Sequence, residues 1–181
     1  MAQYKIVKIG HPTLRRPAES VNRRSLQDAK VKKLLKDMVL MMRTHEGVGL
    51  AANQIGLGVQ VIVLECQQNQ RYPDAEGFPL EIWINPKIME YSKKKILDWE
   101  GCLSIPGYRG TVARSEWVVL KALNPEGKMI TKKVSGFQAR VIQHEIDHLN
   151  GCFYMDRMRD LKTWIHLDEF SHLLQSSIQD R

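Results

Sequence analysis

The stretch that decides the fold of this chain is residues 143–151, which read QHEIDHLNG. It contains the pattern H-E-x-x-H, in which His144 and His148 stand four residues apart and therefore share one side of a helix. Two imidazoles in that arrangement can bind a metal ion, and the adjacent Glu145 can act as a base. A metal centre needs a third protein ligand, so the position of that ligand determines the kind of protein.

Local signals place this pattern on a helix. Ser135 and Gln138 fit the capping box, a pair of polar residues three apart that starts many helices. Gly151 fits the left-handed residue that commonly ends one. We therefore predict a helix from about Gly136 to Asn150. One side of this helix is apolar and is expected to be buried: Phe137, Val141, Ile142, Ile146 and Leu149.

The remaining segments predict an α+β fold. Apolar residues at helical spacing predict an N-terminal helix from about Ser25 to Gly47, and an amphipathic pattern predicts a C-terminal helix from about Asp160 to Ser176. Between them lie runs typical of strands, at residues 59–65, 81–85, 87–91, 94–99, 117–123 and 128–134. We therefore expect short, mostly antiparallel strands packed around a central H-E-x-x-H helix, with a helix at each end of the chain.

Length and composition indicate one domain. The chain has 181 residues, of which 43% are hydrophobic, which suits a single globular domain over residues 1–181. No apolar run approaches the ~20 residues needed to span a bilayer, and the N-terminus lacks the pattern of a signal peptide. Three cysteines, an odd and sparse set, argue against a disulfide framework. We expect a cytoplasmic protein that does not bind membranes.

The positive charge is concentrated near the N-terminus. The net charge is +7, and residues 1–43 carry eleven Lys and Arg against three Asp and Glu. This excess suits either the solvated face of a helix or contact with an anionic partner such as RNA. No motif for reading a nucleic-acid sequence accompanies it, so sequence-specific nucleic-acid binding is not expected.

Several positions are candidates for the third metal ligand. One protease class continues the pattern to a third histidine, but here Tyr154 occupies that position. A zinc metalloprotease of a second class would take a downstream acidic ligand, for which Asp168 and Glu169 are available. A closed structural zinc site is another possibility, built from Cys102 and Cys152 together with the two histidines.

An upstream cysteine is the remaining candidate. Residues 100–107 read EGCLSIPG, and they place Cys102 on a short segment between glycines. Cys102 with two histidines leaves one metal position open for water, which is typical of a catalytic site. Residues 47–56 read GVGLAANQIG, where Gly47 and Gly49 allow close backbone approach and Gln54 offers a hydrogen-bond donor.

Together these three segments resemble the motifs of peptide deformylase. The first is GVGLAA followed by Gln54, the second is residues 100–104, EGCLS, and the third is residues 143–148, QHEIDH. The resemblance spans roughly residues 5–158. It implies hydrolysis of the N-formyl group from the N-terminal formyl-methionine of newly made polypeptides, with release of formate.

The resemblance also implies the site residues. One divalent metal ion would be held by Cys102, His144 and His148, with Fe(II) as the physiological ion and Zn, Ni or Co as substitutes. Its bound hydroxide would attack the substrate, and Glu145 would be the general acid and base. Oxyanion donors would come from the Gln54 side chain and the Leu103 N–H. Contacts to the bound peptide would come from Val48, Gly49 and Arg109.

Two features depart from the pattern of relatives. Arg140 stands on a pocket wall where an apolar residue is frequent, and we expect its stem to line the pocket while its charge reaches water. Residues 152–181 carry four basic against five acidic side chains. The resemblance implies transient ribosome association, but this tail is not the basic helix that some relatives use for docking.

Overall fold

A computed structural model of the protein describes residues 4–67, 72 and 75–170. Two long helices were assigned in these residues, α1 (Ala29–Thr44) and α2 (Gly136–Leu149). The strands are β1 (Gly49–Ala51), β2 (Val61–Cys66), β3 (Phe78–Tyr91), β4 (Lys95–Cys102), β5 (Ile105–Ser115), β6 (Trp117–Leu123), β7 (Met129–Ser135) and β8 (Ile165–His166). The backbone is also helical at residues 167–170.

The strands form two antiparallel sheets. The larger has the order β1-β2-β3-β6-β7, and the smaller has the order β4-β5-β8. The hairpin of β6 and β7 matches the strands predicted at residues 117–123 and 128–134, with the turn at residues 124–127 between them. The α+β class is therefore confirmed, with antiparallel strands around the H-E-x-x-H helix.

Helices cover both faces of the larger sheet. Because side chains alternate along a strand, Val61 and Val63 of β2 point into the cluster around α1, while Ile62 and Leu64 point into the cluster around α2. This explains why residues 61–64 are all apolar. This packing buries one side of α2 against the larger sheet and fixes which residues of α2 point away from that sheet.

The predicted start of α2 is correct, but its predicted cap is not. The helix begins at Gly136, yet the Ser135 side chain makes no capping hydrogen bond. Ser135 is still part of β7 and pairs with Trp117, which holds it in extended backbone. Gly136 then turns the chain with a φ of +60°.

Other boundaries also differ from the prediction. The two short strands expected at residues 81–85 and 87–91 form one bulged strand, β3. The strand β5 was not predicted, because its glycines and arginines interrupt the apolar pattern. The start of the predicted C-terminal helix is wrong, since Leu161–Thr163 form a 3-10 turn and β8 follows it. Beyond residue 170 that prediction lies outside the described residues.

No helix in the described part of the chain is both long enough and apolar enough to cross a membrane.

Gly151 joins the end of α2 to the N-terminal segment. Its φ is +74°, and a Cβ there would lie 2.6 Å from the carbonyl oxygen of Arg15. Ala18 donates its backbone N–H to the carbonyl of Leu149 at 2.8 Å, which holds the two segments together. Glycine is therefore required at this position by both conformation and space.

We predict that Gly151→Ala lowers the free energy of unfolding by roughly 2–3 kcal/mol, because it combines left-handed backbone with a steric clash. Gly136→Ala is the matched control, since its φ is +60° and no atom lies within 4 Å of the added Cβ. That control should lose only about 1 kcal/mol. Urea unfolding of both variants measures the difference, and equal losses would show that the Arg15 segment moves aside.

Candidate active site and metal centre

The end of β4 and one face of α2 bring three metal-binding side chains together. The Sγ of Cys102 lies 3.2 Å from the Nε2 of His148, which lies 3.2 Å from the Nε2 of His144. All three side chains are buried, and their ligand atoms lie within 4.8 Å of one another. The four-residue spacing of the histidines on α2 produces this geometry, as the sequence predicts.

The donor set fits a divalent metal ion. One thiol sulfur and two imidazole nitrogens are ligands that both zinc and iron(II) accept. The backbone N–H of Ser104 and the Nε2 of Gln54 lie 3.4 and 3.5 Å from the Cys102 sulfur, an environment that suits a negatively charged thiolate. The three residues are therefore able to hold the metal that their chemistry implies.

The other proposed ligand sets are not supported. Cys152 does not join the cluster, and its sulfur instead lies 3.9 Å from the carbonyl oxygen of Asn150. Asp168 lies next to His166 at 3.4 Å, and Glu169 is exposed. Within the described residues the metal-binding group therefore consists of three side chains, as expected for a catalytic rather than a closed structural site.

A buried carboxylate orients the first histidine. Glu100 Oε2 accepts a hydrogen bond from the Nδ1 of His144 at 2.8 Å, which leaves Nε2 directed at the metal position. Arg114 donates to both oxygens of Glu100, at 2.8 and 3.0 Å, and to Asp147 at 2.5 Å. Arg157 also donates to Asp147, at 2.8 Å.

These contacts shift the pKa values of the buried groups. Burial alone would raise the pKa of Glu100, but hydrogen bonds from His144 and Arg114 hold it well below its usual range. Burial lowers the pKa of both histidines, but contacts with Cys102 and Glu100 reverse the effect at His144 and raise its pKa. The pKa of His148 stays well below its usual value, because burial and the charge of His144 both act against its protonation.

The second histidine is held through its backbone. The side-chain amide of Asn53 donates a hydrogen bond to the carbonyl oxygen of His148. The ring of His148 also packs edge-on against Phe153, with 5.6 Å between the ring centres. Sequence reasoning assigned no role to Glu100, Arg114 or Asn53, although Glu100 belongs to the same EGC segment as Cys102.

The expectation that the charge of Arg140 reaches water is wrong. Its side chain is only 7% exposed, and its guanidinium forms an ion pair with Glu100 at 2.8 Å. The acceptors that hold it come from the hairpin of β4 and β5, which packs over this end of α2. The expected contact of Arg140 with the pocket is present, since it is one of the residues that line the cavity.

The carboxyl group of Glu145 is buried beside Gly49. A Cβ at Gly49 would lie 2.9 Å from both Cγ and Cδ of Glu145, so only glycine fits there. Burial is the largest influence on the Glu145 carboxyl, and it raises the pKa to about 7. Its Oε2 atom has no hydrogen-bond partner among the described residues. A carboxyl group with this pKa can both accept and return a proton near neutral pH.

The Gln54 amide is held in one orientation. Its Oε1 accepts the backbone N–H of Ala51 at 2.8 Å, which turns its NH₂ group toward the sulfur of Cys102 and the Oγ of Ser104. Leu103 lies in the turn between β4 and β5 and lines the same cavity. The structure thus brings the Gln54 amide to the metal cluster and Leu103 to the same cavity, while their roles as oxyanion donors stay predictions.

A single cavity adjoins these groups. Cys102, His144 and Glu145 line it together with Val48 and Gly49, whose predicted contacts with a bound peptide stay predictions. Apolar and aromatic side chains form part of its wall: Tyr72, Trp99, Phe137 and Val141. Tyr72 and Phe137 contact each other, with 4.9 Å between ring centres.

Arg109 lies apart from the cavity. Arg109 is buried, and its Cζ lies 5.0 Å from the ring centre of Tyr72, which lines the cavity, and 5.0 Å from that of Phe170. Arg109 is not among the residues that line the cavity in the described part of the chain. Its predicted contact with a bound peptide stays a prediction.

The raised pKa of Glu145 predicts that the free energy of unfolding of the metal-free protein falls as pH rises. Between pH 4.5 and about 7 the folded protein keeps a proton that the unfolded chain has released, so stability falls as pH rises. Glu145→Gln removes this loss of stability. We expect its unfolding free energy to exceed that of the unsubstituted chain by an amount that grows by on the order of 2–3 kcal/mol from pH 5 to pH 8.

Urea unfolding of chelator-treated protein at several pH values measures this difference. Glu90→Gln is the matched control, because Glu90 is exposed on β3. A constant difference in unfolding free energy between Glu145→Gln and the unsubstituted chain across this pH range would contradict the prediction. So would a difference for Glu90→Gln that grows with pH as much as the difference for Glu145→Gln.

Comparison with known proteins identifies the family. The family model for polypeptide deformylase matches residues 3–164. Peptide deformylase 1 of Nitrosomonas europaea is 41% identical over 163 residues, covering 90% of this chain and 92% of the relative. Peptide deformylase 2 of Pseudomonas putida is 42% identical over 155 residues, covering 86% and 87%.

A solved structure agrees with the sequence comparison. The class I type b peptide deformylase of Acinetobacter baumannii, crystallised with Met-Ala-Ser, is 37% identical and superposes with a TM-score of 0.84 over 87% of this chain and 100% of that one. The match extends along nearly the whole described chain and includes the segments that form the metal cluster. This protein therefore belongs to the peptide deformylase family of metal-dependent hydrolases.

Proposed function

We propose that this protein removes the formyl group from the N-terminal formyl-methionine of newly made polypeptides and releases formate. The observation that carries the proposal is the convergence of Glu145, the Gln54 amide and the Cys-His-His cluster on one cavity. The Acinetobacter baumannii relative was crystallised with Met-Ala-Ser. That tripeptide is what deformylation of formyl-Met-Ala-Ser would leave.

Glu145 lies in the position required for the proton transfers of this reaction. A divalent metal ion, when bound by Cys102, His144 and His148, supplies the Lewis acidity that makes water nucleophilic near neutral pH. Glu145 accepts the proton of the attacking water and then gives it to the departing amine. Burial of the Glu145 carboxyl favours its protonated form, which assists the return of the proton to the amine.

Two N–H donors stabilise the charge that forms on the formyl oxygen. The Gln54 NH₂ group is already turned toward the metal cluster by its bond to Ala51, so it need not reorganise during the reaction. The backbone N–H of Leu103 is the second donor. Removal of one such donor typically costs about 10²–10³ in kcat.

The cavity suits an extended peptide that begins with methionine. The strand β1 lies at the edge of the larger sheet, and an extended chain can add to such an edge by backbone hydrogen bonds. Val48 and Gly49 would contact the peptide there. The methionine side chain would enter the apolar part of the cavity, where Phe137 and Val141 form the wall.

Substitution of Glu145 tests the activity. We predict that Glu145→Gln lowers formate release from formyl-Met-Ala-Ser by about 10²–10⁴-fold, because the amide cannot accept and return the proton as the Glu145 carboxyl does. The variant should keep its metal and its fold. Glu90→Gln serves as the control and should retain full activity, because Glu90 is exposed on β3. Turnover by Glu145→Gln at the unsubstituted rate would reject the proposal, and so would cleavage of internal peptide bonds instead of formate release.

We propose Fe(II) as the physiological metal, with zinc, nickel and cobalt as substitutes. The family resemblance supports this assignment, and the thiolate and imidazole donors are compatible with all four ions. Protein purified without oxygen should therefore contain iron and lose its activity on exposure to air, because Fe(II) oxidises. Reconstitution with Ni(II) should give activity that survives in air. Iron-free, air-stable activity in freshly isolated protein would contradict the assignment.

We propose that the protein acts in the cytoplasm and associates transiently with the ribosome, where its substrates are made. Exposed basic side chains on α1 support contact with an anionic surface: Lys30, Lys32, Lys33 and Lys36. Binding to purified ribosomes should therefore weaken steeply as salt rises, because each phosphate contact releases counterions. Binding affinity that is unchanged between about 50 and 200 mM salt would exclude this electrostatic contact.

A further inference from the structure

Arg140 makes an unusual set of contacts one helical turn before His144. Its Nη1 donates to Glu100 Oε1 at 2.8 Å, to the carbonyl oxygen of Val112 at 2.9 Å and, more weakly, to that of Asp98 at 3.4 Å. Its Nη2 donates to the carbonyl oxygen of Ile96 at 2.6 Å. The side chain is 7% exposed, so these bonds form away from water.

These contacts connect the two elements that supply the metal ligands. Ile96, Asp98 and Glu100 belong to β4, which ends at Cys102, and Val112 belongs to the paired strand β5. Arg140 itself belongs to α2, which carries both histidines. A buried guanidinium therefore fixes α2 on β4 at a point close to the metal cluster.

Arg140 also balances the charge of the carboxylate that orients His144. Glu100 Oε1 accepts from Arg140 and from Arg114, each at 2.8 Å, while Oε2 accepts from His144. Arg114 is shared between Glu100 and Asp147, and Arg157 also donates to Asp147. Without Arg140, Glu100 would keep only the His144 imidazole and its share of Arg114, so the buried carboxylate would lose part of its compensating positive charge.

We propose that Arg140 is a positioning residue for the metal centre, which acts by holding Glu100 and by fixing α2 against β4. It does not contact the metal or the reacting atoms. The proposal rests on the metal-dependent function proposed above, but it concerns how firmly the cluster binds its metal. Contacts around metal ligands commonly contribute 10–100-fold to metal affinity.

Lysine cannot replace this arginine. The guanidinium reaches acceptors on two strands because its donors lie in a rigid plane, whereas an ammonium group is a single point. Arg140→Lys therefore retains the positive charge beside Glu100 but loses most of the bonds to the β4 and β5 carbonyls. Arg140→Met keeps much of the stem and loses both contributions. Comparison of the two variants therefore separates the effect of the positive charge beside Glu100 from the effect of the bonds that hold α2 against β4 and β5.

Cobalt affinity tests the proposal without reference to turnover. Binding of Co(II) is measured by competition with a chelator, and the visible absorption spectrum of the cobalt protein reports the ligand geometry. We expect Arg140→Met to bind Co(II) 10–100-fold more weakly, with a changed spectrum. Arg140→Lys should show a smaller loss, and it carries the test if Arg140→Met does not fold.

Arg157→Met is the matched control. Arg157 also forms an ion pair with a buried carboxylate, Asp147 at 2.8 Å, but its side chain is half exposed and its carboxylate partner is Asp147 rather than Glu100. Its substitution should leave the cobalt spectrum and affinity unchanged. A double variant, Arg140→Met with Glu100→Gln, should lose less affinity than the sum of the single losses, since both act through one interaction.

Two outcomes would overturn the proposal. One is cobalt affinity within twofold of the unsubstituted chain in both Arg140 variants, even if their thermal stability falls. The other is an equal loss of affinity in Arg157→Met. Neither outcome depends on the substrate, because formate release by the unsubstituted chain tests the proposed function separately.

Discussion

The carboxylate of Glu100 lies away from water, and it remains ionised there because one imidazole and two guanidinium groups donate hydrogen bonds to it. A buried charge that lost one of these partners would be costly, so β4, β5 and α2 must stay in register for the carboxylate to be satisfied. The same register places Cys102 opposite His144 and His148. Packing of the two sheets and formation of the metal cluster therefore depend on one set of contacts.

The helix α2 alone does not determine the chemistry of this protein. Its two histidines and glutamate are shared with zinc proteases, which take their third ligand from a later part of the chain. Here the third member of the metal-binding group is Cys102 at the end of β4, and the next residue, Leu103, lines the same cavity. The group proposed to bind the metal and the residue proposed to stabilise the oxyanion are therefore adjacent in one turn.

Features set by nearby residues could be predicted from the sequence. Four-residue spacing placed His144 and His148 together, and the turn at residues 124–127 located the hairpin of β6 and β7. The strand β5 and the burial of Arg140 could not be predicted in the same way. Both depend on which distant segment packs over α2. Buried polar side chains need hydrogen-bond partners, and here those partners lie far along the chain, where local sequence patterns do not reveal them. The sequence offered Cys102 only as one of several candidate third ligands, and the resemblance to a family selected it, because no local pattern links Cys102 to histidines more than forty residues away.

The position of β1 at a sheet edge has a consequence for the range of sequences that can be processed. Backbone amides and carbonyls are the same in every polypeptide, so an edge of three residues, Gly49–Ala51, would bind an extended chain with little regard to its side chains. In the proposed binding mode, only the first side chain would enter a shaped cavity. One enzyme built in this way can serve the many different proteins a cell makes, because it recognises a chain terminus that they all have in common.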